Sequence, residues 1–353
     1  DAIVRVAWEF SVGVREDLRG KGIGSRLMHT AKQFLRDRCA AMMVYRGDEA
    51  SSGYRYYARN GHADLLYARP WIWGGGSLLA VPPAQSLAWQ EFLAEAEPRA
   101  AKSRIAGRVG GGGGEAPYLA LFESAYGGYG GFPQRYPGFY DPAVNTIQYA
   151  EVRLDLMTFV QRDEAGVAQG YAIAGRERLS PRLHLLEIAT RSGDLAIALP
   201  LLSAFCRLAA SQEVPAMVMT TDSSPYVPAL RVAGFRPGLR PEESNMIMAY
   251  PLEPEHLAAV AWREDAGTAG LEVSARTPCR EVLIHRAAAG SARRVVLEMK
   301  EDMLARLLFG RLDLRSAVAQ EMVTVVGGDD AEVHVIAQAL PYTPWVYHYL
   351  DQI

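Results

Sequence analysis

Two stretches of the chain, Val4–Trp73 and Leu183–Tyr250, pass through the same order of patterns: strand, amphipathic helix, strand, short helix closed by a glycine, strand. In the first stretch, Ile3–Val14 places Ile3, Val4, Val6, Trp8, Phe10, Val12 and Val14 at mostly alternate positions, which is strand periodicity. Ile23, Leu27, Ala31, Phe34 and Leu35 then recur at helical spacing. Ala40–Tyr45 reads as a short buried strand, Ser51–His62 as a helix ended by Gly61, and Ala63–Trp73 as a final strand. In the second stretch, Leu183–Gln212 reads as a strand and a long helix, Ala216–Asp222 as a strand and Ser224–Phe235 as a short helix. A recurrence of this kind reads as an internal duplication. The expected class is α/β (α+β), with one mixed sheet in each copy.

Between the copies, Gly74–Ser77 and Gly110–Gly114 flank a helical pattern over Ala84–Ala101. Consecutive glycines keep too much backbone entropy to hold a packed element, so 76–116 reads as a connector. A further unit starts near Ala266. Its strand patterns are Leu271–Ala275, Arg280–Ala288 and Ser291–Lys300, and helical patterns over Glu301–Gly310, Arg315–Gln320 and Asp330–Leu340 follow. The expected division is 1–75, 76–116, 117–258 and 259–353.

The 353 residues carry 37 Lys and Arg against 40 Asp and Glu, a net charge of −3. A nucleic-acid or membrane-surface role would need a basic excess, so both are disfavoured. Cys39, Cys206 and Cys279 are odd in number and far apart. Disulfide frameworks and zinc ribbons are therefore not expected, and a cytoplasmic setting is. Cys39 reads as core filler. The seven histidines lack ligand spacing, so no metal is expected, and no apolar run is long enough for a membrane span.

The chemistry concentrates in Arg19-Gly20-Lys21-Gly22-Ile23-Gly24, between the first strand and the first helix. A helix start offers unpaired N–H groups and a partial positive charge, and bare glycine lets an anion come close. A Walker loop needs G-x-x-x-x-G-K-[ST], which is absent here. A dinucleotide loop needs Gly or Ala where Ser25 stands.

The stretch matches the [Q/R]-x-x-G-x-[G/A] signature of the GNAT superfamily of acetyltransferases, which the chain resembles over Ile3–Trp73. Tyr56-Tyr57-Ala58-Arg59-Asn60-Gly61-His62 resembles the family's aromatic–Tyr–x–x–x–Gly–aromatic string, with His62 in the last place. On residue grounds alone Tyr57 reads equally as an acid or as a packed tyrosine; Tyr54 and Tyr56 read as packing residues. The tandem order and the third unit resemble the enhanced intracellular survival type of N-acetyltransferase. That resemblance implies an active GNAT domain, a degenerate second one without the glycine signature, where this chain has "TRSGDLAIA", and a sterol carrier protein-like C-terminal domain.

The resemblance implies acetyl-CoA as co-substrate, held by Val12 and Val14, by Arg19, Gly20, Lys21, Gly22, Ile23 and Gly24, and by Ser52. It implies Tyr57 as the acid that protonates the leaving thiolate, and the carboxylate of the last residue, here Ile353, as a catalytic group. The family's usual last residue is phenylalanine, so Ile353 is a departure. Glu9 is an alternative base, or a solvated carboxylate at a strand edge. The implied acceptor is a primary amine: aminoglycoside-like, a small polyamine or a lysine side chain. A homo-oligomer, a hexamer by resemblance, is also implied. Few residues precede Val14, so the first GNAT-like domain is expected to lack N-terminal sequence. The competing readings are a lipid or sterol binder and a non-catalytic CoA-binding scaffold.

Overall fold

A computed structural model describes residues 4–9, 12–46, 51–76, 81, 84–88, 91, 116–140, 154–177, 182–238, 245–264, 267–287 and 292–351. In chain order the first run is β1 (Val6–Trp8), α1 (Ile23–Leu35), β2 (Ala41–Arg46), α2 (Ser52–Arg59) and β3 (Ala63–Trp73). Next come β4 (Gln85–Ala88), α3 (Ala116–Tyr126), β5 (Leu154–Arg162), β6 (Ala168–Glu177), β7 (Leu183–Thr190), α4 (Leu195–Ser211), β8 (Ala216–Thr220), α5 (Val227–Val232), β9 (Arg236–Pro237) and β10 (Asn245–Pro251). The last run is α6 (Pro254–Ala261), β11 (Leu271–Arg276), β12 (Glu281–His285), β13 (Arg293–Met299), α7 (Glu301–Leu308), α8 (Leu314–Ala319), β14 (Val323–Val326) and α9 (Asp330–Ala339). Parallel and antiparallel pairs coexist, so the chain is a mixed α+β fold.

Contacts group residues 1–67 with 245–344, and residues 68–244 with 345–353. In the first group, β1 and β2 run parallel across the α1 crossover and β10 pairs antiparallel on β2 from Met246–Arg46 to Pro251–Ala41. The final strand of the second repeated pattern is therefore laddered to the first pattern. Its core is Met28, Met42, Val44, Tyr57, Met246, Met248 and Leu252. The same group holds a four-stranded sheet in the order β12-β11-β13-β14. Around Val273, Val295, Leu297, Leu304, Leu307 and Ile336 a second core forms.

The start of α9 is a reciprocal cap: Asp329 Oδ1 accepts from the N–H groups of Ala331 and Glu332, and Glu332 Oε2 accepts from the Asp329 N–H. Otherwise orphaned donors are thereby satisfied, so Asp329→Ala is expected to cost about 1 kcal/mol, read as an earlier midpoint in urea unfolding followed by circular dichroism.

In the second group, β8-β7-β6-β5-β4 follow one another from the Arg69–Trp73 half of β3. All eight residues of β7 are buried, as expected of a strand covered on both faces. Helix α3 packs on β6 and β7, and α4 packs on β5, β6 and β7. Two sequence expectations change. Gln85–Ala88, read as part of a helix, is a strand paired with Val160–Met157 of β5; an available edge ladder outweighs a weak helical propensity. Of the strand expected over Ile3–Val14, the described part is Val6–Trp8, and Val12 and Val14 lie outside it.

Candidate functional site

In the first copy the described parallel pair is short. Val6, Ala7 and Trp8 pair with Ala41, Met42 and Met43, and the Glu9 N–H donates to Met43 O at 2.9 Å. After that β2 continues to Arg46, whereas Val12–Arg15 lie outside any strand. Val14 O instead accepts from Arg19 Nε at 3.1 Å, which closes the loop on itself. Val12 and Val14, expected on a strand, thus lie outside the described strands.

The loop ends in a bare helix start. Gly20 and Gly22 have φ of 77° and 73°, a region costly for L side chains. A Cβ at either glycine would meet nothing within 4 Å, so the space in front of them is open. Gly22 is the N-cap of α1 and no side chain caps that end. The first N–H groups of a helix have no intrahelical acceptor, so they face the opening with Lys21 exposed beside them. This set fits a diphosphate: donors, a half-helix charge and backbone that admits close approach.

Gly24 does a different job. Its absent Cβ would lie 3.0 Å from Tyr56 Cε2, and Tyr56 Oη donates to Gly24 O at 2.7 Å. Gly24 therefore lets α2 close on α1. Ser52 is exposed in the first turn of α2, whose N-cap Ser51 accepts from the Tyr54 N–H at 3.0 Å. It lines a cleft with Ser25, Arg55, Tyr56, Arg59 and Asn60. The two arginines escape a motif reading, since their meaning depends on the face of α2 that carries them.

Tyr57 is 1% exposed, its ring edge-on to Tyr56 (5.0 Å) and to His62 (5.1 Å). Burial, and then the Lys32 charge, pull the His62 pKa down to about 3, so its ring is neutral. Burial first, and then the negative charge of Glu9, hold the Tyr56 phenol at about 12. Lys32 lies 3.3 Å from the Tyr250 ring centroid, and burial lowers it to about 8 against the opposing pull of Glu9. Ile353 lies outside the described residues. Among the described residues no His, Cys, Asp or Glu group is arranged to hold a metal, and no helix is long and apolar enough to cross a membrane.

The second copy also has a short parallel pair, and the space beyond it is filled. β7 and β8 pair only from Leu183–Ala216 to Leu185–Val218. Beyond, Ile188 O accepts from Tyr126 Oη at 2.6 Å and the Thr190 N–H donates to Tyr226 Oη at 2.7 Å. Trp345 O accepts from Thr221 Oγ1 at 3.0 Å, and Tyr347 and His348 line, with β7 and β8, a residual space of about 20 Å³. Helix α4 opens on Asp194, whose carboxylate accepts from the Ala196 N–H at 2.8 Å. Where the first copy offers free donors, the second carries its own anion.

Residues 3–62 match the model of the Acetyltransferase (GNAT) family. Comparison with curated proteins gives no match. Among solved structures, the chain is similar to a probable N-acyltransferase from Enterococcus faecalis, at 12% identity and TM-score 0.64 over 97% of this chain and 80% of that one. It is similar to a GCN5-related N-acetyltransferase from Anabaena variabilis, at 13% identity and TM-score 0.59 over 96% and 81%. It is also similar to Eis1 from Mycobacterium abscessus, at 11% identity and TM-score 0.50 over 97% and 81%. At such identities these likenesses speak for the fold. The GNAT match over residues 3–62, set within this fold, supports an N-acetyltransferase.

Proposed function

We propose that the chain transfers an acetyl group from acetyl-CoA to a primary amine, in the class of aminoglycosides, small polyamines or lysine side chains. The observation that carries this reading is the uncapped start of α1 at Gly22, with open space in front of it, where the second copy has Asp194. Arg19–Gly24 would hold the diphosphate. Backbone N–H groups near Val12–Val14 would donate to the thioester oxygen as it gains negative charge.

The nitrogen lone pair of a neutral amine forms the C–N bond at the carbonyl carbon. The C–S bond breaks with its electron pair on sulfur. Tyr57 gives the sulfur a proton, and the surplus proton on nitrogen passes to solvent water. Tyr56 is set aside as the acid, because its phenol is held at about 12 and donates to Gly24 O. We also read residues 259–353 as largely sterol carrier-like; the four-stranded sheet with α7, α8 and α9 supports that reading.

Thiol release from acetyl-CoA with a panel of amines tests the function. Tyr57→Phe is expected to lower kcat about 100-fold or more, the usual share of a general acid, with KM for acetyl-CoA nearly unchanged. Phenylalanine retains the buried ring, so the fold stays intact. An unchanged kcat removes Tyr57 from the chemistry. Absence of free thiol with every amine removes the transferase reading, and copurified lipid in that case favours a lipid binder.

A further inference from the structure

The cleft beside the loop has a volume of about 360 Å³, within the range of small-ligand sites. Ser52, Arg55, Tyr56, Arg59 and Asn60 recur three and four residues apart, so one face of α2 forms its wall, and Ser25 of α1 faces them. The floor is fixed from several sides. Tyr56 Oη donates to Gly24 O, Asn60 Nδ2 donates to Tyr56 O, and Lys32 Nζ donates to Asn60 O.

The lining is electrostatically one-sided. It holds two guanidinium groups and no carboxylate. Arg55 and Arg59 are exposed, and among the described residues neither has an acidic partner. Some other arginines of this group are paired, as Arg15 is with Asp17, Arg276 with Glu281 and Glu298, and Arg293 with Glu332, but these do not line the cleft. A cation in the last turn complements a helix C-terminus, which accounts for Arg59. It does not account for Arg55, in the middle of α2 and on the same face. A planar guanidinium binds phosphate through parallel N–H donors. The surface thus offers two anion subsites: the bare start of α1 for a diphosphate, and the arginine cleft for a separate phosphate.

We propose that Arg55 and Arg59 bind the 3′-phosphate of coenzyme A, so that the phosphorylated ribose, and not the diphosphate alone, determines which nucleotide thioester the protein accepts. This inference rests on the acetyl-CoA reading above.

The test is calorimetric titration of the full chain with CoA and with 3′-dephospho-CoA. A charge-assisted pair of hydrogen bonds is worth roughly 10- to 100-fold in affinity, so the intact protein is expected to bind CoA tighter by about that factor. The double variant Arg55→Gln, Arg59→Gln is expected to bind CoA only as well as dephospho-CoA, with its affinity for dephospho-CoA unchanged. The preference of the intact protein is expected to shrink as salt is raised. Equal binding of the two ligands by the intact protein, or an undiminished preference in the double variant, overturns the inference and leaves the acetyl-CoA reading standing. Binding of neither ligand overturns both. Both side chains are exposed, and unchanged circular dichroism of the double variant certifies its fold.

Discussion

Gly22→Asp is expected to weaken CoA binding by at least about 100-fold, some 2.7 kcal/mol, while the protein stays folded. The change gives α1 the anion that α4 already carries at Asp194. A carboxylate at this position repels a diphosphate and takes up part of the partial charge that would hold it. Hydrogen bonds to a charged group contribute about 1.5–3 kcal/mol each, so losing one or two accounts for the size of the effect. Stability is expected to move by only about 1 kcal/mol. Aspartate is among the residues that tolerate a positive φ such as the 73° at Gly22, and an acidic residue at a helix start contributes favourably. Titration with CoA and thermal unfolding of the same sample separate the two quantities. Undiminished affinity of the Gly22→Asp variant for CoA would remove the diphosphate from this helix start.

The largest effect on stability is expected from Arg135→Met, about 3–5 kcal/mol, the range for removing one partner of a buried ion pair. The Arg135 guanidinium is buried against two carboxylates: Nε lies 3.1 Å from Glu187 Oε2, and Nη1 lies 2.7 Å from Asp351 Oδ1. Tyr140 and Tyr171 also donate to Glu187 Oε1, at 2.6 and 2.7 Å. Glu187 is thus well supplied with donors, and among the described residues Asp351 has the guanidinium beside it. Burial raises the Asp351 carboxyl to about 7 from an ordinary 3.8, with Arg135 pulling it down and Glu187 pushing it up.

The sign of the pH dependence follows. A carboxyl with a raised pKa in the folded chain binds its proton more tightly there than when unfolded. Its contribution is complete below about pH 4 and is lost as pH rises through about 7. In the variant the opposing pull of Arg135 is gone, so the loss deepens toward alkaline pH. Urea unfolding at pH 5 and pH 8 is expected to show the variant closer to the parent at pH 5. An equal deficit at both values would mean that the cost lies in lost packing, for instance of Arg135 over Phe139 at 4.0 Å.

Much of the site is legible in the sequence because its signals are local. A glycine that needs positive φ, a cation beside it and a helix directly after it stand within six residues, and Gly22 takes that backbone conformation at the helix start. The contrast between the copies is legible too, since Asp194 stands in the string that replaces the glycine signature. Gly24 is less legible: in sequence it belongs to the glycine-rich loop, but the ring it accommodates belongs to Tyr56, thirty-two residues later. Arg55 and Arg59 match no motif, and only the helical phase of α2 brings them to one cleft.

By itself the amino-acid order determined most of the succession of strands and helices, Gln85–Ala88 apart, with the bare cap of α1 and the filled cap of α4. These depend on hydrogen bonds and backbone angles within a turn or two of the residue concerned. Only the tertiary structure decided that β10 ladders onto β2, that Tyr57 is enclosed in a core and that Trp345–Asp351 occupies the fork of β7 and β8. The last of these joins residues 124 apart in sequence, Thr221 and Trp345. Contacts at such separations are chosen by which surfaces remain to be buried once the local elements exist, and no short-range pattern records that choice.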